Sequence, residues 1–550
     1  MKSLRAIAVL AGLSLVRGGS RLAKTISKRG FDNPTPENFL RRCFATIAVL
    51  DGYVYIDGGE VSQLIDGEVD KKHPSYLVNT TLSLSLASSW TNASVILRSI
   101  PKSAPRQNVP ITWINAPRSS FYEWGGCTFQ TAPPDNLIWK FIADGKGGGE
   151  WSQVAPSNIV VFNNAARPWN AGFTTHDSVG YALGGIISSE SQVTGGDRTA
   201  ISGLVSFDMG SLKWGNAPSV GGYGNSGTSW AGRMESIPFG QNGLLMVLGG
   251  CESSTANLKS ATLVSWDVVN FVDPRTGVWY SQATTGSRPT SRQAFCSAGV
   301  QGPNGTYEIF IYGGSLGGQS QSAGADMYVL SLPSFVFFKL PNSGTPRTSH
   351  ACALVGPLAK GRNKRVPRQM LSVGGTAGRN GQINSNYSSQ YDADVDSYDT
   401  PRMIQDWYSQ GGLDAVSWNT KDIKSMFTSG MNTGTSPGNK TSAAPSSTLT
   451  SPPATPESDS ESSSSKPISA GAIAGGTIAG VAGIALLTTL AVLFPRCRRA
   501  RQGQTPQQSP AQWSKPGLSS EADSMQQNHD GLEMPQPQQG LHCTELHSTH

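Results

Sequence analysis

YVYIDGG, residues 53–59, is a strand-like run of Tyr, Val and Ile that stops on two glycines. Glycine suits a strand poorly, so such a pair marks a place where the backbone must adopt a conformation or an approach that a Cβ forbids. The pattern returns as FYEWGG (121–126), VGYALGG (179–185), LLMVLGG (244–250), IFIYGG (309–314) and QMLSVGG (369–375). The six pairs are Gly58-Gly59, Gly125-Gly126, Gly184-Gly185, Gly249-Gly250, Gly313-Gly314 and Gly374-Gly375, and their nearly constant step is too regular for chance. Gly-Gly pairs at 195, 221, 317 and 411 lack the apolar lead-in and do not belong to the series.

Two further marks share the period. Trp90, Trp151, Trp214 and Trp279 follow Gly59, Gly126, Gly185 and Gly250 at similar intervals. Phe337-Phe338 holds that place in the fifth repeat. Arg42, Arg167 and Arg233 precede Gly58, Gly184 and Gly249 at almost the same spacing, and Arg292 and Arg347 stand further back from their pairs. Each unit thus reads as a strand pair ending in Gly-Gly, a variable loop, and a second strand pair ending near an aromatic. That is the pattern of a propeller blade, and the chain is expected to be all-β with six blades. The arginines are expected to make structural hydrogen bonds, with a ring around the channel or one face as the alternative.

The parts outside the repeats are of different composition. Residues 1–20 carry Lys2 and Arg5 before an apolar stretch too short to span a bilayer, as in a secretory signal, with a second cut after Lys28-Arg29 as a further option. The propeller is assigned to 32–430. Ser, Thr and Pro dominate 441–467, so 431–467 reads as an O-glycosylated stalk. The stretch 468–494 carries no charge, and Arg496, Arg498, Arg499 and Arg501 follow it. As a helix this stretch reaches about 40 Å, enough to cross a bilayer, and the arginines put 495–550 in the cytosol. That tail is too poor in apolar residues to form a core and is expected to be disordered. The glycosylation triplets at Asn79, Asn92, Asn304, Asn386 and Asn439 all precede the span, in agreement with an N-terminus outside the cell. Cys497, beside the membrane among arginines, is a candidate for lipidation. Cys296 and Cys352 follow arginines at the start of apolar runs and are expected as equivalent buried thiols.

Charge excludes one class of partner. The net +6 is scattered, with no basic stripe, so nucleic acid is not expected. No cofactor is implied.

FLRRCFATIAVLDGYVYIDGGEVS (39–62), SWTNASVILRSIPKSAP (89–105), YEIFIYGG (307–314), RQMLSVGG (368–375) and YDADVDSYDTP (391–401) resemble the kelch-repeat β-propellers. More narrowly, these stretches followed by stalk, span and tail are similar to fungal single-pass membrane proteins with a kelch ectodomain. The resemblance covers about 32–400 and implies an extracellular propeller at the plasma membrane or cell surface, but no reaction. It weakens after Gly375, where nothing reads as a strand, so the sixth blade is expected to be short or closed by residues near the N-terminus. Trp407 has nearly the right spacing, but Pro401 and the Asp-rich lead-in argue against it.

The galactose oxidase branch of kelch propellers holds copper with two His and two Tyr. Before residue 440 this chain has His73, His176 and His350, and no motif unites them. His176-Asp177 lacks a nucleophile elbow. Glu123, inside FYEWGG, is an odd residue for a blade strand and is a candidate to face the central channel. The polar loops 60–75, 185–200 and 315–325 are expected on one face, where a non-enzymatic module would bind an extracellular glycan or protein. The alternatives are a membrane scaffold working through its tail and a carbohydrate-active enzyme.

Overall fold

The structure is a computed structural model that describes residues 38–429 except 70–74, 92–93, 130, 195, 218–226, 255–256, 318–321, 342–343, 357–368, 378–389 and 392–397. The expected signal segment, stalk, span, tail and Cys497 lie outside the described residues, as do His73, Asn92, Asn386 and Asn439. Among the described residues no helix is long and apolar enough to cross a membrane.

Each repeat builds an antiparallel sheet in chain order. In repeat one it is Thr46–Leu50, Tyr53–Asp57, Thr80–Ser85 and Arg98–Pro101. In repeat two it is Ile111–Asn115, Ser120–Trp124, Ile138–Ala143 and Gly149–Val154. Repeat three has Gly172–His176, Val179–Leu183, Leu204–Asp208 and Lys213–Ala217. Repeat four has Arg233–Ile237, Leu244–Leu248, Val268–Val272 and Trp279–Ala283. Repeat five has Cys296–Gln301, Tyr307–Tyr312, Met327–Leu332 and Val336–Lys339, with Thr285–Gly286 added in parallel to the last. Repeat six shows one hairpin, Ala351–Val355 with Gln369–Val373. The chain is thus mostly β, built of four-stranded antiparallel sheets consistent with a β-propeller.

The first strand of each sheet lies beside the first strand of the next, from repeat one through repeat six, and the strand of repeat six lies beside that of repeat one. The apolar side chains fill the spaces between sheets. Trp113, Trp124, Phe207 and Trp214 pack between repeats two and three. Phe271, Phe295 and Phe335 pack between repeats four and five. Val54, Ile56, Val355 and Leu371 join repeat one to repeat six. Strands with apolar residues on both faces suit such a layering, in which every sheet is covered twice.

Three expectations need correction. The segments after the glycine pairs are not plain loops. Glu60–Ile65 pairs with Phe39–Cys43, Ile186–Ile187 with Thr199–Ala200, and Cys251–Ser254 with Asn257–Leu263. Their polar composition hid these strands because they are short and half covered. Trp90 is not in the fourth strand of its sheet. It lies in a short strand, Trp90–Thr91, paired with Gln390–Tyr391. Cys296 and Cys352 are not free thiols but a disulfide joining the first strands of repeats five and six. The residues after 400 form two helices that the strand period did not signal. Arg402–Ser409 buries Ile404 against Val329 and Phe338, and Trp407 packs on Phe338 there instead of closing a sheet. Lys421–Thr428 starts at Thr420, whose hydroxyl accepts from the Ile423 N–H at 3.2 Å, an N-cap, and it buries Ile423 and Phe427.

Candidate functional site

The glycine pairs sit at a regular junction between repeats. The N–H of each second glycine donates to a carbonyl just before the next sheet: Gly59 to Gln107, Gly126 to Pro168, Gly185 to Ser229, Gly250 to Arg292 and Gly314 to Arg347. Gly375 donates to Arg42, so the series returns to its start. All six bonds are 2.7–2.9 Å long. Both members of every pair have positive φ. A Cβ at Gly58 would stand 2.9 Å from the Gln107 carbonyl oxygen. The sharp ending of YVYIDGG therefore lets one repeat's backbone touch the next.

A second series was not visible in the sequence. Phe44, Val109, Asn170, Ala231, Ala294 and Ser349 each precede a first strand and each has φ between 43° and 61°. Such angles are unfavourable for residues with a Cβ, above all for β-branched Val109. Partners offset the strain. Val109 N–H donates to the Phe44 carbonyl, Ala231 to Asn170, Ala294 to Ala231, Ser349 to Ala294 and Phe44 to Ser349, at 2.7–3.0 Å. These residues vary from Ser to Phe, so no residue type signals the position.

The six left-handed residues surround one cavity of about 650 Å³, counting its open mouth. Arg233, Asn108, Gln293 and His350 line it, with Phe129 and Trp169 on its wall. The glycine pairs and the short strands after them lie at the same end of the sheets, because the second strand of each hairpin runs back to where the first began.

The arginines divide in two. Arg42 donates to the Gly58 carbonyl at 2.7 and 3.0 Å, Arg292 to Gly313 at 2.9 Å and Arg347 to Gly374 at 3.3 Å. Arg167 reaches the carbonyls of Gly125 and Gly126 in the preceding repeat. These four tie down glycine carbonyls. Burial pushes Arg42 and Arg167 down to about 10, so both stay charged at neutral pH. Arg233 differs: among the described residues its guanidinium reaches only the carbonyls of Gly232 and His350, at 3.3 and 3.5 Å, and it lines the cavity. Burial lowers it to about 10, and Glu235 pulls it back up.

Glu123 does not face the cavity. It is 1% exposed and pairs with Lys102 at 3.2 Å, while Lys102 also pairs with Asp57. Thr46 donates to Glu123 at 3.4 Å, and Lys102 lies over the Trp151 ring. This cluster is a sealed ionic joint between repeats one and two. Burial raises Glu123 to about 8, helped by Asp57 and opposed by Lys102. His176 bridges repeats three and four through the Ser236 hydroxyl at 2.9 Å and the Asn242 carbonyl at 2.7 Å, and Asp177 is exposed beside it. His350 is 2% exposed, and its ring packs edge-on against Tyr312, whose backbone favours a proton on it. Burial lowers its affinity for a proton well below the usual range, with Arg347 and Arg233 adding to the effect. The His350, Cys296 and Cys352 donor atoms lie within 4.8 Å of one another, but the two sulfurs are bonded to each other. Asn79 and Asn304 are exposed.

No protein-family model matches the chain. It is similar to a protein named Kelch repeat-containing protein from Arthroderma benhamiae, 25% identical over 402 residues. The match takes in 63% of this chain and 56% of the relative, so it spans little more than half of the relative's length. Together with the four-stranded sheets, this distant likeness supports a relationship to the kelch-repeat proteins.

Proposed function

We propose that the chain is a six-bladed kelch propeller over 32–430 that works as a non-enzymatic recognition module, carried at the cell surface by the span 468–494. The observation that carries the reading is the returning series of glycine bonds, in which Gly375 donates to Arg42 as each earlier pair donates to its successor. A ring held in this way is a rigid frame, and the short strands after the glycine pairs form an adjustable face on it. Kelch repeats generally mediate binding, which favours a protein or glycan ligand for this face. The exposed Asn79 and Asn304 are glycan acceptors under this topology. In this reading the tail 495–550 is cytosolic and Cys497 is its lipid attachment point.

The test is binding of the purified full-length chain, in detergent, to arrays of extracellular glycans and to solubilised surface proteins. Saturable binding that is lost on replacing residues in 60–69 or 186–200 is the expected result. Binding that survives those changes and disappears on deleting 502–550 would instead assign the work to the tail.

A further inference from the structure

Buried polar atoms in folded chains nearly always have partners, and each exception calls for a reason. Around the axial cavity two such exceptions stand together. Asn108 Oδ1 and Ser349 Oγ are buried without a partner among the described residues. Arg233 stands with them, bound only by two long contacts to backbone carbonyls and with no carboxylate in ion-pair distance among the described residues. Its counterparts in the other repeats are spent on glycine carbonyls.

The charge selects the sign of a ligand. A metal cation would enter against Arg233 and Arg347, both of which already disfavour a proton on His350, and the nearby sulfurs are tied in a disulfide. An anion meets the guanidinium of Arg233, which feels Glu235 on the same strand but has no carboxylate within ion-pair distance among the described residues. The size selects its kind. The space open to the centres of water molecules is about 60 Å³, enough for a few waters. That admits a planar carboxylate, which a guanidinium grips in two parallel bonds. The rest of a ligand would remain in the open mouth beside the half-buried rings of Phe44 and Phe129.

We propose that the axial cavity binds the carboxylate of a small organic acid, with Arg233 as counter-ion and with Ser349 as a hydrogen-bond donor. This deepens the recognition reading above and rests on it only for the choice of face.

The test is calorimetric titration of the purified full-length chain with sodium glucuronate, sodium acetate, glucose and inorganic phosphate at constant ionic strength. Saturable binding of glucuronate and acetate, with none of glucose, is the expected result. Glucuronate binding tighter than acetate assigns the carboxylate to a sugar acid, and equal binding assigns it to a carboxylate of any source. Arg233→Met is expected to weaken both by about tenfold or more, and Arg233→Lys to restore part of the loss, because charge returns without the planar fork. Thermal unfolding near the wild-type temperature checks that the variants fold, and Ser349→Ala serves if they do not. No saturation by a folded chain, phosphate binding more tightly than either acid, or unchanged affinity in Arg233→Met overturns the proposal. If array binding through the 60–69 and 186–200 segments persists in that case, only the carboxylate site has failed.

Discussion

Gly250 and Gly67 hold nearly the same left-handed backbone, with φ of +84° and +82°, in opposite surroundings. A Cβ at Gly250 would lie 2.5–2.7 Å from the backbone of Gly232 and the carbonyl of Trp230, whereas nothing lies within 4 Å at Gly67. Backbone atoms cannot yield as the end of a flexible side chain can. Gly67→Ala is therefore expected to cost only the left-handed penalty, about 1 kcal/mol. Gly250→Ala is expected to cost that plus overpacking, about 3 kcal/mol in all. Chemical denaturation of both variants checks this, and equal losses would show that conformation alone explains the pair. At this scale the spacing made the six glycine pairs legible, and four of the five arginines meet glycine carbonyls in the structural role expected of them. Arg233 fitted the same spacing but lines the cavity, because it lies within a first strand while the others precede one. The left-handed Phe44 and Val109 were illegible. Nothing in a side chain announces a backbone angle imposed by a neighbouring repeat.

At the scale of the element, apolar alternation and the aromatic mark located most main strands. Trp151, Trp214, Trp279 and Phe337-Phe338 stand in the fourth strands of repeats two to five. The short strands after the glycine pairs escaped notice because pairings as brief as Ile186–Ile187 with Thr199–Ala200 carry no period. The disulfide escaped because Cys296 and Cys352 are far apart in sequence, with a separation of 56, and become neighbours only when repeats five and six do. Closing a loop of that length is worth about 4 kcal/mol by chain entropy. Cys352→Ser is expected to lower unfolding stability by about 3–4 kcal/mol. Adding reductant to the wild-type chain is expected to lower its melting temperature at least comparably. A variant as stable as the wild type would show that packing alone holds these two strands together.

Across the whole molecule, buried charge makes stability depend on pH. Burial raises Glu235 to about 6, Glu308 to about 7 and Glu123 to about 8, all from 4.5. The folded chain then holds these protons more tightly than the unfolded chain. The stability they contribute is complete below pH 4.5 and is lost as pH rises through 6 to 8. His350 works in the opposite sense, since its lowered proton affinity costs stability only as pH falls below 6.5. Between pH 6.5 and 8 the carboxyls act without it. The melting temperature is expected to fall across that window, and Glu308→Gln to remove part of the fall, about 1 kcal/mol within the window. A melting temperature independent of pH in both chains would show that these carboxyls titrate normally.

The sequence by itself determined the period, the strand-rich repeats and the composition of the flanks, because these are local properties of side-chain pattern and backbone freedom. Only the tertiary structure decided what the glycines touch, where the first repeat meets the sixth, and which charged residues end up paired. Arg42 and Gly375 stand at opposite ends of the series of repeats, yet the carbonyl of one accepts from the N–H of the other. Closure is a property of the whole circuit of repeats. So is the cavity at its centre, whose lining comes from every repeat and from no contiguous stretch of the chain.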